Sequence, residues 1–326
     1  MSLDSDVIVD RRRIRRKLTF WRVVAALIAI VAIVVLGVVA TPGGRGALTA
    51  SGSIARVNIE GLIRSDQDRV EALERLANSK VAAVIVHINS PGGTTAGSEQ
   101  LYDALVQLKA KKPLVVVVEG LAASGGYITA IAADHIIAQQ TSLVGSIGVL
   151  FQFPNFTELL KTVGVKVEEV KSSPLKAAPN GFEPTSPEAR AALDALVKDS
   201  YAWFRGLVKE RRAMDDAQLE RVADGRVFTG RQAVELKLIH QMGDEKSAVA
   251  WLVAQKGIKP DLPVRDYKLT PRFGDLTFLR TAAAITFDAL GFGAVARQIE
   301  QTGVAQAADR LGLEGMLALW HPAGAN

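Results

Sequence analysis

The fold is decided by the stretch LVVVVEGLAASGGY, residues 114–127. Five apolar residues, four of them β-branched, predict a fully buried strand over Leu114–Val118. Small residues then lead to Ser124 and two glycines, which predict a turn from this strand directly into a helix that begins near Gly125. A serine there holds its hydroxyl at the edge of the sheet, where the Gly125 N–H could hold a developing oxyanion. The hydroxyl is either a nucleophile or simply the cap of the helix.

Short apolar segments and amphipathic segments alternate on both sides of this stretch. The strands predicted from this alternation are Ile54–Ile59, Val81–Ile88, Leu114–Val118, His135–Ala138 and Val165–Val170. The predicted helices are Asp66–Ala77, Gly97–Lys109, Gly125–Ala133, Asp215–Ala223, Gly230–Lys237 and a long one that starts at Ser186-Pro187-Glu188. This strand–helix–strand order predicts an α/β fold, with a mostly parallel sheet and flanking helices.

A second stretch, HINSPGGT at residues 87–94, leads from the predicted strand that ends at Ile88 towards a helix. We predict a sharp turn here. Two adjacent glycines, Gly92 and Gly93, let the backbone come close to a ligand with its N–H groups pointing outward, as an oxyanion hole or a peptide clamp requires. A plain strand-to-helix turn is the alternative interpretation.

A serine nucleophile needs a general base, and the sequence offers two kinds. The pattern positions no histidine beside Ser124, so a histidine triad stays possible but unsupported; the candidates are His87, His135, His240 and His321. A lysine serves as a base near neutral pH only where burial lowers its pKa from about 10.4 towards about 7–8. Lys176 lies in an apolar stretch with no acidic residue between Glu169 and Glu183, which suits that role. A solvated loop lysine is the alternative.

Charge and hydropathy separate the first 40 residues from the rest. The chain carries a net charge of +5, and residues 1–22 hold seven basic and three acidic side chains, which contribute +4 of it. Because the basicity is local, nucleic-acid binding is not expected. Val23–Ala40 is an uncharged run long enough to span a bilayer, and the basic cluster Arg11–Lys17 precedes it. The positive-inside rule then predicts a single-pass protein of the inner (cytoplasmic) membrane, with a cytoplasmic N-terminus and an extracytoplasmic catalytic domain; a cleaved signal peptide is the alternative.

These features predict five parts of the chain: a basic cytoplasmic N-terminus over residues 1–17, a transmembrane anchor over 18–40, a linker over 41–52, a catalytic domain over 53–259 and a helical extension over 260–326. The chain has no cysteine, which excludes disulfides, thiolate metal sites and a cysteine nucleophile. We expect neither a cofactor nor a metal ion.

Several short motifs resemble the signal peptide peptidase A family of membrane-bound serine proteases, which share the ClpP/crotonase-like fold. The similarity runs from about Ile54 to Leu252. The motifs that carry it are Asn89-Ser90-Pro91-Gly92-Gly93, Ala123-Ser124-Gly125-Gly126-Tyr127, Val144-Gly145-Ser146-Ile147-Gly148-Val149, the segment Lys171–Lys176 and Gly225-Arg226-Val227-Phe228-Thr229-Gly230. The chain departs from the family pattern beside the lysine, at Pro174 and Ala177.

The resemblance implies a serine endopeptidase that works through a Ser–Lys dyad and an acyl-enzyme. It implies Ser124 as the nucleophile and Lys176 as the general base. It further implies Ser146 as the residue that orients the lysine, and Gly93 as a donor to the oxyanion.

The resemblance also implies the enzyme's substrates and assembly. The chain resembles the half-length form of the family, in which neighbouring subunits complete the sites by assembling into a homo-oligomeric ring. The implied substrates are peptides, namely signal peptide remnants in or near the lipid bilayer. Three alternatives stay open: a related protease that processes stomatin-like partners, a crotonase-type acyl-CoA enzyme, and an inactive membrane scaffold.

Overall fold

The structure, a computed structural model, describes residues 21–22, 52–269 and 317–319. Residues 52–269 and 317–319 belong to one compact unit, and residues 21–22 belong to another. Trp21 and Arg22 are helical and exposed, whereas the rest of the predicted anchor, 18–40, lies outside the described residues. Within the described ranges, no helix is long and apolar enough to cross a membrane.

One sheet organises the described part of the chain. Its nine strands there are Ile54–Ile63 (β1), Ala83–Thr94 (β2), Leu114–Ala123 (β3), His135–Ala138 (β4), Leu143–Gly145 (β5), Val227–Thr229 (β6), Gln241–Met242 (β7), Val264–Asp266 (β8) and Leu317–Leu319 (β9). The centre is formed by β3, β2 and β1, with β8 beside β1. Among these nine strands, β6 and β9 run antiparallel to the strands they pair with, and the others run parallel. The predicted α/β fold with a mostly parallel sheet is confirmed.

Helices flank the sheet, and capping side chains define where several of them begin. Their bounds are Gln67–Ala77 (α1), Thr95–Lys111 (α2), Gly125–Ala130 (α3), Thr157–Thr162 (α4), Pro187–Arg211 (α5), Asp216–Glu220 (α6), Gly230–Glu235 (α7) and Glu245–Lys256 (α8). Each capping side chain accepts a hydrogen bond from a backbone N–H of the first turn, as at Asp66, Thr94, Ser186 and Asp244. The sequence predicted most of these starts to within two residues.

The apolar core lies on both faces of the central strands. Because side chains alternate along a strand, successive residues of β2 and β3 point to opposite faces. One face packs with α1, α2 and α3 and includes Val84, Val86, Ile88, Val116 and Val118. The other face packs with Ala248 and Leu252 of α8 and includes Ile54, Ala83, Ile85, Val115 and Val117. Burial on both sides explains why Leu114–Val118 is continuously apolar.

Strand β3 divides its pairing between two strands, and this division places the serine. Residues Val115–Val118 pair with β4, whereas Leu121–Ala123 pair with β5. Beyond Ala123 the chain turns directly into α3. The end of β3 is therefore held on one side by β5 and on the other by β2, where Ser90 pairs with Ala122.

The glycine stretch differs from the predicted turn, because β2 continues through residues 89–94 instead of ending at Ile88. The reason is that β1 is also longer than predicted and offers a partner: Leu62 pairs with Gly92 and Ile63 with Gly93. A Cβ on Gly93 would lie only 1.8 Å from the Ile63 carbonyl oxygen. This pairing therefore requires glycine at position 93.

The prediction of a strand over Val165–Val170 was wrong. Val165–Val170 forms no strand, and its residues are exposed, because within the described residues no strand edge pairs with it. Of the segment 260–326, predicted as a helical extension, only residues 260–269 and 317–319 are described, and they contain the strands β8 and β9. Since β8 pairs with β1, the sheet runs past the predicted boundary at residue 259.

Candidate active site

Ser124 lies where β3 ends and α3 begins, in a backbone conformation that residues other than glycine rarely adopt. Its φ is 53° and its ψ is −116°. Such a conformation costs about 1–3 kcal/mol and persists only where the surrounding structure holds it. A strained strand-to-helix turn is also how nucleophilic serines are presented at the top of the sheet in α/β-hydrolases. The local backbone is therefore suited to a nucleophile.

Backbone hydrogen bonds fix this turn to the rest of the domain. The Ser124 N–H donates to Gly145 O at 2.8 Å, and Ser124 O accepts from the N–H groups of Tyr127 and Ile128 at 2.9 and 3.0 Å. Tyr127 is fully buried and donates its hydroxyl to Leu238 O at 2.8 Å. Burial raises the pKa of the Tyr127 phenol, so it stays a neutral donor. The turn is thus tied to β5 and to the core.

A close approach of α3 to β2 also positions the serine. A Cβ at Gly126 would lie 2.7 Å from the Ser90 carbonyl oxygen. The Ser90 hydroxyl, in turn, donates to Gly61 O at 2.7 Å and accepts from the Gly92 N–H at 3.1 Å. Ser90 therefore joins β1, the glycine stretch and the serine turn. No role was predicted for Ser90 from the sequence, although a serine two residues before Gly92 can hydrogen-bond the neighbouring backbone.

The Ser124 hydroxyl is buried and unpaired. The residue is 1% exposed, and no group among the described residues hydrogen-bonds its Oγ. A buried hydroxyl without a partner costs about 1–3 kcal/mol, and native proteins hold few of them. The side chain also makes no cap bond to α3, which sets the helix-cap alternative aside. A hydroxyl kept free in this way is available for chemistry.

Two glycines flank the serine turn in sequence or in strand register. Gly125 is the first residue of α3, so its N–H has no partner within the helix. Ser90 pairs with Ala122 across β2 and β3, which brings the next residues of β2, Gly93 among them, level with the serine turn. Ser124, Gly125 and Gly93 therefore lie at the same end of the paired strands β2 and β3, which is the end where an oxyanion site would need them.

Ser146 follows β5 beside the same turn. Its φ is 50°, it is 8% exposed, and its N–H donates to Arg226 O at 2.8 Å. Since Gly145 accepts the Ser124 N–H, Ser146 is one residue from a direct contact of the nucleophile. Its hydroxyl forms no hydrogen bond within residues 52–269 and is free to hold another group.

Lys176 lies in a different environment, on the segment 150–182, which we call the arm. Its side chain is exposed and forms no hydrogen bond or ion pair within residues 52–269. The burial that the sequence suggested for this lysine is therefore not provided by the described part of the chain. Because the Ser124 Oγ is also unpaired, the structure does not join the two residues within one chain.

The arm exposes many large apolar side chains. None of the residues of α4, which lies in the arm, is buried. The exposed apolar residues of the arm are Leu150, Phe151, Phe156, Leu159, Val163, Val165, Val167, Val170, Leu175 and Phe182. So many exposed large apolar side chains within one segment are typical of an interaction surface.

No histidine of the described residues hydrogen-bonds the Ser124 hydroxyl. His87 is held between two carboxylates instead, with Nδ1 2.7 Å from Glu119 Oε1 and Nε2 2.9 Å from Glu245 Oε2. His321 lies outside the described residues. The remaining two stack on each other with ring centroids 4.6 Å apart, His135 and His240. Within residues 52–269, no group of three or more His, Asp or Glu side chains is placed to hold a metal ion.

Comparison with known proteins identifies the family. The sequence pattern of peptidase family S49 matches residues 106–259, and that of Clp protease matches residues 63–142. The protein slr0021 of Synechocystis sp., named as a candidate protease, is 37% identical over 210 residues, which are 64% of this chain and 76% of that protein. Protease 4 of Haemophilus influenzae is 31% identical over 227 residues, which are 66% of this chain but only 37% of that protein.

Two further comparisons complete the picture. A candidate signal peptide peptidase SppA of Enterococcus faecium is 30% identical over 227 residues, which are 68% of this chain and 66% of that protein. Among solved structures, a mutant of ClpP1 from Listeria monocytogenes has a TM-score of 0.40 and 15% identity, covering 63% of this chain and 94% of that one. The S49 match includes both Ser124 and Lys176. The chain belongs to peptidase family S49, a family of serine proteases, and has a ClpP-like α/β fold.

Proposed function

We propose that the chain is a membrane-anchored serine endopeptidase that degrades signal peptide remnants with a Ser124–Lys176 dyad. The observation that supports this most is the Ser124 hydroxyl, which is buried and unpaired on a strained turn at the edge of the sheet. Membership of a protease family sets the acyl-CoA alternative aside. A strained and unsatisfied serine also argues against an inactive scaffold, which would have no use for its cost.

The chemistry follows from the groups at this edge of the sheet. Ser124 Oγ attacks the carbonyl carbon of the scissile peptide bond, and its proton passes to the neutral amine of Lys176. The N–H groups of Gly125 and Gly93 donate to the oxyanion of the tetrahedral intermediate. The leaving amine takes the proton from Lys176, and the acyl group stays on Ser124 as an ester. Water, deprotonated by the same lysine, then hydrolyses that ester.

The lysine of each site comes from a neighbouring copy in a homo-oligomeric ring. Two observations support this: the dyad is not joined within one chain, and the arm that carries Lys176 exposes apolar side chains. Docking of the arm on a second copy would remove those side chains from water. It would also desolvate Lys176, which a lysine base requires. Ser146, with its free hydroxyl beside the serine turn, then orients the incoming amine.

The proposed substrates and location rest on the relatives and on the N-terminal sequence. The chain spans 37% of protease 4 and 66% of the signal peptide peptidase, so their activities are carried over as a proposal. The anchor predicted over residues 18–40 keeps the protease at the outer face of the inner membrane, where apolar signal peptide remnants collect. A reporter that is active only after export, fused after Asn326, should be active; activity on the cytoplasmic side alone would contradict this topology.

The dyad is tested with the full chain in detergent, a synthetic signal peptide and a fluorophosphonate probe. Wild-type protein should cleave the peptide and be labelled at Ser124. Ser124→Ala should lose labelling, and both Ser124→Ala and Lys176→Ala should lose about a thousandfold or more in kcat, with the double variant little worse than either single one. Lys176→Arg should be equally inactive, because a guanidinium cannot give up its proton at working pH.

The matched control is Lys166→Ala, since Lys166 is another exposed lysine of the arm and should be dispensable. Mass and circular dichroism should show that every variant is folded. Near-normal activity of Lys176→Ala, together with inactivity of His87→Ala or His135→Ala, would identify a histidine as the base instead. Cleavage of a casein-type protein but no cleavage of the signal peptide would keep the protease and reject the substrate.

A further inference from the structure

Arg211, the last residue of α5, holds the far end of the helix that begins at the serine turn. Its Nε donates to Ile131 O at 2.8 Å, and one of its Nη groups donates to Ala132 O and to Ala133 O, both at 3.1 Å. These three acceptor residues follow directly on α3, which ends at Ala130. One guanidinium therefore collects three successive carbonyl groups beyond the C-terminal end of α3.

These three carbonyl groups need a donor from outside their own helix. The last carbonyl groups of a helix have no N–H group one turn further on to accept from. Water is also excluded, since Ile131, Ala132 and Ala133 are at most 5% exposed. A buried carbonyl group without a donor is costly, so the fold requires a side chain that reaches all three. Arginine suits this task, because its planar guanidinium presents several N–H groups in a fixed fork.

The helix between Arg211 and the nucleophile is short, so its two ends move together. It has six residues and is therefore only about 9 Å long. Ser124 precedes its first residue, and the φ of 53° at Ser124 persists only where the surroundings hold it. The middle of the helix is fixed by the Tyr127 hydroxyl on Leu238 O, and its start by the close packing of Gly126 on β2. Arg211 supplies the third fixed point, at the opposite end.

We propose that Arg211 is a positioning residue for the Ser124 nucleophile and acts through α3. This inference rests on the proposed function and adds a residue that touches neither the substrate nor the reacting atoms. Arg211 also ends the helix that follows the arm in sequence, so the element that positions the serine is continuous with the segment that carries Lys176. A reacting group displaced by about 1 Å can lose about a hundredfold in rate. The loss of Arg211 should therefore lower kcat and leave KM nearly unchanged.

The test compares Arg211→Met and Arg211→Lys in the full chain, with Arg205→Met as the matched control. Arg205 lies on the same helix, but its ion pair is with Glu220. Arg211→Met should lower kcat for a synthetic signal peptide about 10- to 100-fold, with KM within about twofold of wild type. Arg211→Lys should recover part of this loss, because an ammonium group still donates but lacks the fork that reaches three carbonyl groups. Arg205→Met should match wild type.

The rate constant for labelling by a fluorophosphonate probe separates positioning from folding. A variant that is only less stable contains fewer reactive molecules, but its folded molecules react with the wild-type rate constant. Arg211→Met should lower that rate constant about 10- to 100-fold, in parallel with kcat. If Arg211→Met does not fold, Arg211→Lys serves instead, and its rate constant should fall at least about threefold.

Mapping the labelled residue in wild type keeps this inference distinct from the proposed function. Label on Ser124, together with a wild-type rate constant in both Arg211 variants, overturns the inference and leaves the proposed nucleophile in place. An equal fall in the rate constant of Arg205→Met also overturns it, because the effect would then belong to α5 as a whole. Label on a residue other than Ser124 rejects the proposed function itself, whatever the Arg211 variants do.

Discussion

The two halves of the proposed dyad lie in opposite physical environments. Ser124 is 1% exposed and fixed by hydrogen bonds to β5, to α3 and, through Gly126, by close packing on β2. Lys176 is exposed, in an arm whose own helix buries none of its residues. The nucleophile is therefore organised by the core of its own chain. The Lys176 side chain has no hydrogen bond or ion pair within residues 52–269, and in the proposed function a neighbouring copy supplies its surroundings.

Both environments cost free energy, and each cost is offset in a different way. The strain at Ser124 and its unpaired hydroxyl cost free energy, and a core with apolar packing on both faces of β2 and β3 can hold them. The exposed valines and phenylalanines of the arm cost free energy in water, and only burial recovers it. The turn at Ser124 is strained, whereas the arm leaves apolar side chains exposed to water.

The largest expected effect comes from placing an intact Ser124 and an intact Lys176 on different chains. Ser124→Ala and Lys176→Ala should each be inactive alone. Co-expressed in equal amounts, they should regain about one quarter of wild-type activity, since half of the serines and half of the lysines at random interfaces are intact. The measurement is peptide cleavage per active-site equivalent, compared with wild type.

The control for this experiment pairs Ser124→Ala with the double variant Ser124→Ala/Lys176→Ala, which leaves no intact serine. It should stay inactive. If the mixture of single variants is also inactive although mixed oligomers form, Lys176 serves its own chain or is not the base. The proposed division between core and arm would then be wrong.

The next effect concerns the arm alone. Leu159, on α4, is 60% exposed, and Leu196, on α5, is 52% exposed. Leu159→Glu should leave the free energy of unfolding within about 0.5 kcal/mol of wild type, because its side chain is largely exposed to water. It should nevertheless shift the oligomer towards monomer and lower activity at least about tenfold, since a charge at the centre of an apolar interface is costly.

Leu196→Glu is the matched control, because it adds the same charge at a similarly exposed leucine outside the arm. Light scattering and peptide cleavage should match wild type. Equal losses in both variants would assign the interface to a larger surface than the arm. A fully active monomer of Leu159→Glu would remove the need for a neighbouring copy.

Features set by a few neighbouring residues could be predicted from the sequence, whereas features set by distant strand partners could not. The buried strand Leu114–Val118, the turn at Ser124 and the flanking helices were predictable, because apolar runs, glycines and caps act over a few residues. The continuation of β2 through Gly92–Thr94 was not, because it depends on β1 extending to meet it. The strand predicted over Val165–Val170 failed for the same reason: its valines suit a sheet, but strands form only where a partner edge exists.

The same distinction applies to the residues of the candidate active site. Local patterns could propose Ser124, Gly125, Gly93 and Lys176 as candidates, and the family resemblance implied a role for all of them except Gly125. Ser146 came from the resemblance alone. The role of Ser90 depends on contacts with Gly61 and Gly92 that no local pattern contains. Strand β9 was hidden altogether, since its pairing spans most of the chain.

A smaller effect is expected from replacing glycine by alanine. Packing requires glycine at one position, Gly126, but leaves room for a side chain at another, Gly206. A Cβ at Gly126 would meet the Ser90 carbonyl at 2.7 Å, whereas one at Gly206, within α5, would meet nothing within 4 Å. Gly126→Ala should therefore lower the free energy of unfolding by about 1–3 kcal/mol and displace the serine turn, with loss of activity. Gly206→Ala should raise it by about 0.5–1 kcal/mol, because alanine favours a helix. Thermal unfolding measures both, and two changes of the same sign would contradict the packing argument.

The smallest effect is the loss of stability in acid, which should come from His240, outside the arm, and not from the arm. Burial of His240 against His135, together with the charge of Arg212, lowers the pKa of the His240 imidazole to about 3. In the unfolded chain that pKa is about 6.5. Between these values the unfolded state binds the extra proton, so stability is fully present above about pH 6.5 and is lost progressively as the pH falls towards 3.

His240→Gln should flatten this acid loss. Glutamine can still accept the hydrogen bond that the Ile136 N–H donates to His240 Nδ1, at 2.8 Å, but it cannot take up a proton. Because His240 is partly exposed, water reduces the slope well below the limit of about 1.4 kcal/mol per pH unit for one proton. The arm holds no histidine, so removing its ion pair with Lys171→Met should leave the slope between pH 6.5 and 5 unchanged. Chemical unfolding at several pH values measures the difference, and an identical slope in His240→Gln and wild type would mean that the acid response originates elsewhere.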